Sequence, residues 1–81
     1  MGLREVVLVH IYKFSKKRGF RYGINIKYIA RDLGISEGVV RAVVEGLRRD
    51  GLVFYVRWMG NVYVLPTKKG RRVVERVIGR V

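Results

Sequence analysis

Cysteine is absent from this 81-residue chain and proline occurs once. Without thiols there is no disulfide, no thiolate metal site and no cysteine nucleophile, and the redox compartment is left open. Glutamine is absent too, while Arg, Lys and Val abound, a bias that fits a hyperthermophilic source. No apolar run approaches the roughly 20 residues that span a bilayer, and Arg4 and Glu5 interrupt any signal-peptide pattern. The expected location is the cytoplasm, with no membrane partner. His10 is the sole histidine, on an apolar stretch with no carboxylate or nucleophile placed to work with it, so a packed or capping side chain is expected there and not a base. The ten glycines are scattered at turns and helix ends, forming no phosphate-cradling loop, and no acidic cluster suits a hard metal. Neither catalysis nor a cofactor is expected.

Acidic residues are scarce: six, against 18 Lys and Arg, for a formal charge of +12. That excess predicts attraction to a polyanion. Residues 1 to 23 carry six Lys or Arg against Glu5, and residues 68 to 81 carry six against Glu75, so the two ends supply +10 of the +12. Between Ser36 and Asp50, by contrast, Arg41, Arg48 and Arg49 are balanced by Glu37, Glu45 and Asp50. Phosphate contacts set affinity and base edges set sequence preference, so a neutral central helix between basic ends would divide those tasks.

At this length the chain forms one domain, burying only roughly 60% of its unfolded surface, so oligomerisation is one source of added stability. From Leu3 to Phe14 eight of twelve residues are apolar, more than the stripe of a surface helix requires, which leaves apolar area for a partner. Lys16, Lys17, Arg18 and Gly19 then place cations and a glycine where a helix ends. Phe20 to Ile24 is expected as a short strand, and Asn25 as the cap of a second helix. Ile26, Ile29, Ala30 and Leu33 recur at helical spacing, Gly34 suits a left-handed stop, and Ser36 caps a third helix over about 36–50. In that helix Val39, Val40, Val43 and Leu47 are expected inside, leaving Glu37, Gly38, Arg41, Ala42 and Glu45 outside. Small Ala30 permits the steep crossing of two helices over a tight turn.

Leu52 to Met59 and Val62 to Leu65 are rich in β-branched and aromatic residues and read as a hairpin. A turn at Gly60-Asn61 of type II′ pairs Trp58 with Tyr63 and Val56 with Leu65. Those residues, with Phe54, are the expected core face; Tyr55, Arg57, Met59, Val62 and Val64 form the other. Pro66 ends the strand. Thr67 caps a last helix with Val73, Val74, Val77, Ile78 and Val81 on one side and Lys69, Arg72, Arg76 and Arg80 on the other.

The run Ile26 to Val53, with apolar Ile29, Leu33, Ile35, Val40 and Val43, small Ala30 and turn glycine Gly34, resembles the helix-turn-helix of winged-helix transcriptional regulators from archaea, their viruses and bacteria. Leu47 to Val53 is similar to that family's passage from recognition helix to wing, and Thr67-Lys68-Lys69-Gly70 to the start of its closing helix. The resemblance covers nearly the whole chain. It implies a mainly α fold with a small β-hairpin, a single winged helix-turn-helix domain over residues 1–81 in the order helix, strand, helix, helix, strand, strand, helix.

It further implies a transcriptional regulator that binds double-stranded DNA, dimeric through its first and last helices, in the cytoplasm of a cell or of a virus's host. Glu37, Gly38, Arg41, Ala42 and Glu45 match base-facing positions. Of these Arg41 is the foremost candidate, since arginine can bridge guanine O6 and N7. Lys27, Tyr28 and Ser36 are candidate phosphate donors. Arg57 and Asn61 are the wing residues to test, although the short turn carries little charge. Two other readings stay open: sequence-independent coating of nucleic acid, and a protein-binding winged helix within an assembly.

Overall fold

The computed structural model describes residues 2–78. Four helices and three strands follow one another as α1 (Leu3–Lys16), β1 (Ile24–Asn25), α2 (Ile26–Leu33), α3 (Glu37–Arg49), β2 (Val53–Trp58), β3 (Asn61–Pro66) and α4 (Lys68–Ile78). The element order expected from the sequence is the one observed. Arg80 and Val81, assigned above to the two sides of the last helix, lie outside the described residues. Among the described residues no helix is long and apolar enough to cross a membrane.

Local chemistry sets the boundaries. The Asn25 side chain accepts from the Lys27 N–H at 2.9 Å to start α2, and Gly34 stops it with φ of 65°. Ser36 Oγ accepts from the Val39 N–H at 3.2 Å to start α3. Thr67 Oγ1 accepts from the Gly70 N–H at 3.0 Å, capping α4. Each such cap is worth about 1 kcal/mol. The first strand is shorter and later than expected. After α1 the turn is prolonged by the Phe20 N–H donating to the Ser15 carbonyl at 2.8 Å, with Phe20 at a φ of 59°, so pairing starts only at Ile24.

Ile24, Ile29, Val7, Ile11, Val40, Val44, Leu47 and Val64 are sealed at the centre, where α1 packs on α3, β3 and α4. Each fully buried aliphatic side chain contributes roughly 1.5–3 kcal/mol. Two expectations about this core are corrected. In α3 the buried stripe is Val40, Val44 and Leu47, while Val43 is half-buried and Val39 is 42% exposed. The spacing of four then three residues keeps that stripe on one line, and Val39 lies about 100° round the helix from Val40.

In the sheet, β3 lies between β1 and β2, all antiparallel. The register pairs Trp58 with Asn61, Val56 with Tyr63 and Phe54 with Leu65, so the turn falls at Met59-Gly60 and not at Gly60-Asn61. Both turn residues have positive φ, 48° and 76°, the pattern of a type I′ turn and not of type II′. The core face is the opposite one to that expected. Val53 and Val64 are buried with Tyr55 and Val62 beside them, whereas Phe54, Val56 and Trp58 face outward; of their partners only Leu65 is buried.

Candidate nucleic-acid interface

The outward side of α3 presents Gly38, Ala42 and Arg49 at its centre, with Val39 on one flank and Arg41 on the other. Glu37 is exposed in the first turn, where a carboxylate suits the helix dipole. A Cβ built on Gly38 would meet nothing closer than Ser36 Oγ at 4.0 Å, so this stretch of backbone is open to an approaching surface. Arg41 is exposed and takes part in no ion pair among the described residues.

Arg41 does not stand alone. It lines a hollow of about 260 Å³ between α3 and the hairpin, together with Glu45, Tyr55, Arg57 and Val62. Two cations from distant parts of the chain thus share one groove. The alternation of β2, which sends Val53 and Tyr55 inward, brings Arg57 to the same side further along the strand, where the core has ended. Asn61 is half-buried at the base of the turn, its Nδ2 reaching the Met59 carbonyl at 3.5 Å.

Glu45 occupies a different situation from its exposed neighbours. Arg48 donates to it twice, at 2.6 and 3.0 Å, Tyr55 O–H donates at 3.1 Å, and Arg49 stands 3.5 Å away. Chiefly through the Arg48 hydrogen bonds, with Tyr55 and the two guanidinium charges adding, its carboxyl falls from 4.5 to about 2. Its acceptor oxygens are thereby occupied, and the residue braces α3 against β2. A lowered pKa in the folded state means stability that is present above the unfolded value and lost as pH falls through the folded one. The melting-temperature advantage of the parent over Glu45→Gln is therefore expected to be full at pH 7 and to fade between about pH 4.5 and 2, as followed by circular dichroism.

On α2 the N-terminal turn exposes Lys27 and Tyr28. The Arg31 guanidinium covers the Tyr28 ring at 4.7 Å from its centroid, a cation placed beside the tyrosine that sequence inspection did not single out. Helical spacing of three residues was the available signal. Ser36 Oγ is engaged in capping, though a hydroxyl retains its own proton to donate. His10, expected to lack a carboxylate partner, has one. The fold brings Asp32 Oδ2 to 3.0 Å from its Nε2, tying α1 to α2 and holding the Asp32 carboxyl below its ordinary pKa.

The sequence matches no family model and no curated protein. Solved structures do resemble it. An Archaeoglobus fulgidus protein has a TM-score of 0.81 at 17% identity, covering 95% of this chain and 81% of that one. MepR, a transcription regulator of the Staphylococcus aureus multidrug efflux pump MepA, has a TM-score of 0.80 at 19% identity, covering 95% and 54%. Streptococcus pneumoniae FabT, solved in complex with DNA, has a TM-score of 0.78 at 21% identity, covering 99% and 53%. The fold is a winged helix. In winged-helix terms α2 and α3 are the helix-turn-helix and β2–β3 is the wing, and the chain spans about half the length of these two regulators. The wing is where sequence inspection missed most: placing the turn one residue late hid Met59 at the tip, and assigning Trp58 to the core hid a 65% exposed indole.

Proposed function

We propose that this winged helix binds double-stranded DNA in a sequence-dependent way, as a homodimeric transcriptional regulator acting in the cytoplasm. The carrying observation is Arg41: exposed, free of ion pairs among the described residues, and facing the same hollow as Arg57 on a helix whose outward centre is small at Gly38 and Ala42 in its first half, with Arg49 at its far end. Such a helix can lie deep in a major groove, its backbone close to the bases, with a guanidinium at one flank to bridge guanine O6 and N7. Lys27, Tyr28 and the Ser36 hydroxyl would take phosphates on one side, and Arg57 and Asn61 on the other. Glu37 is suited to a cytosine amine, while Glu45 holds the helix in place. The likeness to FabT, which was solved with DNA, supports this reading. Support for the dimer comes from Leu3 on α1 and Val77 on α4, large apolar side chains that stay exposed on the first and last helices.

Selection from random duplex pools tests the reading. The parent should enrich one motif, palindromic if two chains bind together. Arg41→Ala should melt like the parent, lose preference at one base pair, and bind the enriched site about 5- to 150-fold more weakly, the equivalent of 1–3 kcal/mol. A parent that enriches nothing sinks sequence-dependent binding. The even charge balance of α3 between basic ends favours a second reading, coating of nucleic acid without sequence preference, and the same selection separates the two.

A further inference from the structure

The tip of the wing is built from the wrong residue for its backbone. Met59 and Gly60 both hold positive φ, and in such a two-residue turn the first position favours Asn, Asp or Gly, which adopt the left-handed region at little cost. Methionine there is strained, and it recovers nothing by packing, since 83% of its surface faces solvent. Strain held at a projecting residue, with only the long Asn61 Nδ2 bond to its carbonyl at 3.5 Å beside it, points to a task performed on something outside the chain. Beside it Trp58 is 65% exposed, and neither turn residue carries a charge. Whatever the tip touches, it touches with apolar surface.

The position of the tip narrows the target. Arg57 and Val62 form the second rung below the turn and line the hollow that also holds Arg41, so Met59 projects about two residue rises beyond the groove formed by α3 and the wing. With α3 in a major groove, the next feature along the duplex on that side is the backbone and then the minor groove. A formal charge of +12 opposes the meeting of two such tips from identical chains and favours a polyanionic partner. Unbranched, flexible methionine is among the side chains that can enter between base pairs from the minor groove, part-unstacking a step and bending the helix.

We infer that Met59, backed by Trp58, is an apolar wedge that enters the minor groove beside the α3 site and kinks the duplex there. The inference rests on the duplex-binding reading above and adds a sequence requirement to it: a step that unstacks readily, TA or CA/TG, at the wedge position, with stiff A-tracts disfavoured.

The test uses two end-labelled duplexes of about 30 base pairs that both carry the site enriched by selection and differ only beside it, one flanked by alternating T and A and one by A-tracts, with energy transfer between the ends reporting bending and anisotropy reporting affinity. The parent should bend the alternating duplex and bind it about tenfold more tightly than the A-tract duplex. Met59→Asn should abolish the bend and the preference together while raising the melting temperature, because asparagine relieves the turn. Met59→Leu should keep the bend. A merely structural role for Met59 would move stability and affinity in the same direction, and that result overturns the wedge. So does a parent that binds both duplexes and leaves them straight, an outcome under which the α3 reading survives. A parent that binds neither overturns both.

Discussion

Replacing Gly70 by alanine should cost about 3 kcal/mol or more, a large share of the roughly 5–15 kcal/mol available to a domain of this kind. The substitution looks favourable by helix propensity, since alanine exceeds glycine by about 1 kcal/mol inside a helix. Space reverses the sign. A Cβ on Gly70 would stand 2.0 Å from the Leu52 carbonyl oxygen, with the Leu52 carbonyl carbon at 3.0 Å and Cα at 3.3 Å. All three are backbone atoms, and that backbone is fixed from both sides. The Leu52 N–H donates to the Leu47 carbonyl at 2.9 Å, the Thr67 N–H donates to the Leu52 carbonyl at 3.0 Å, and Thr67 O–H donates to the Gly51 carbonyl at 2.6 Å. The helix must lift instead, which uncovers Val74 and Leu52 and breaks the Thr67 cap. At roughly 4–8 °C per kcal/mol for a chain this short, the melting temperature should fall by about 12–24 °C. Gly38→Ala is the matched control: its Cβ meets open space, and it should stabilise by about 0.5–1 kcal/mol. Equal melting curves for Gly70→Ala and the parent would show that α4 does not seat on Leu52 this way.

Features set by neighbours in sequence were legible and features set by distant contacts were not. Asn25, Gly34, Ser36 and Thr67 were identified as caps and stops because a cap bond spans only two or three residues. The phase of α3 was ambiguous for a definite reason. Valine occurs in pairs, at 39 and 40 and again at 43 and 44, so two stripes about 100° apart fit the pattern equally well. Only the helices and sheet packed on α3 select Val40 with Val44. The hairpin posed the same problem with period two. Phe54, Val56 and Trp58 alternate with Val53 and Tyr55, both sets are apolar, and aromatic bulk pointed to the wrong one. Arg41 survived these errors because a shift of one valine still leaves it exposed. The bracing of Glu45 by Tyr55 and the pairing of His10 with Asp32 join residues 10 and 22 positions apart and leave no local trace.

Duplex binding should weaken about 10⁴-fold when monovalent salt rises from about 50 to 200 mM, and the slope of that loss counts the chains on the DNA. Part of the positive charge at the two ends of the sequence is already engaged. Arg4 pairs with Asp50, Lys69 donates to the Asp50 carbonyl at 2.9 Å, Arg18 covers the Phe14 ring at 3.7 Å and Arg71 the Phe20 ring at 4.6 Å. The cations on or beside the proposed reading face are Lys27 and Arg31 on α2, Arg49 on α3 and Arg57 on the wing, all exposed, with Arg31 also paired to Asp32 and Arg49 to Glu45. Arg41 is reserved for a base. Four phosphate contacts from one chain give a slope of log affinity against log salt of about −3.6, whereas eight from a dimer give about −7. Over that fourfold range of salt the two differ as roughly 10² against 10⁴ in affinity, well outside the scatter of a titration. Lys27→Ala should make the slope shallower by about 1 per chain while weakening all sequences alike, in contrast to Arg41→Ala, which changes the preferred sequence. A slope near zero would mean that the charge of this protein serves its own surface, and that α3 is held against DNA by something other than phosphate.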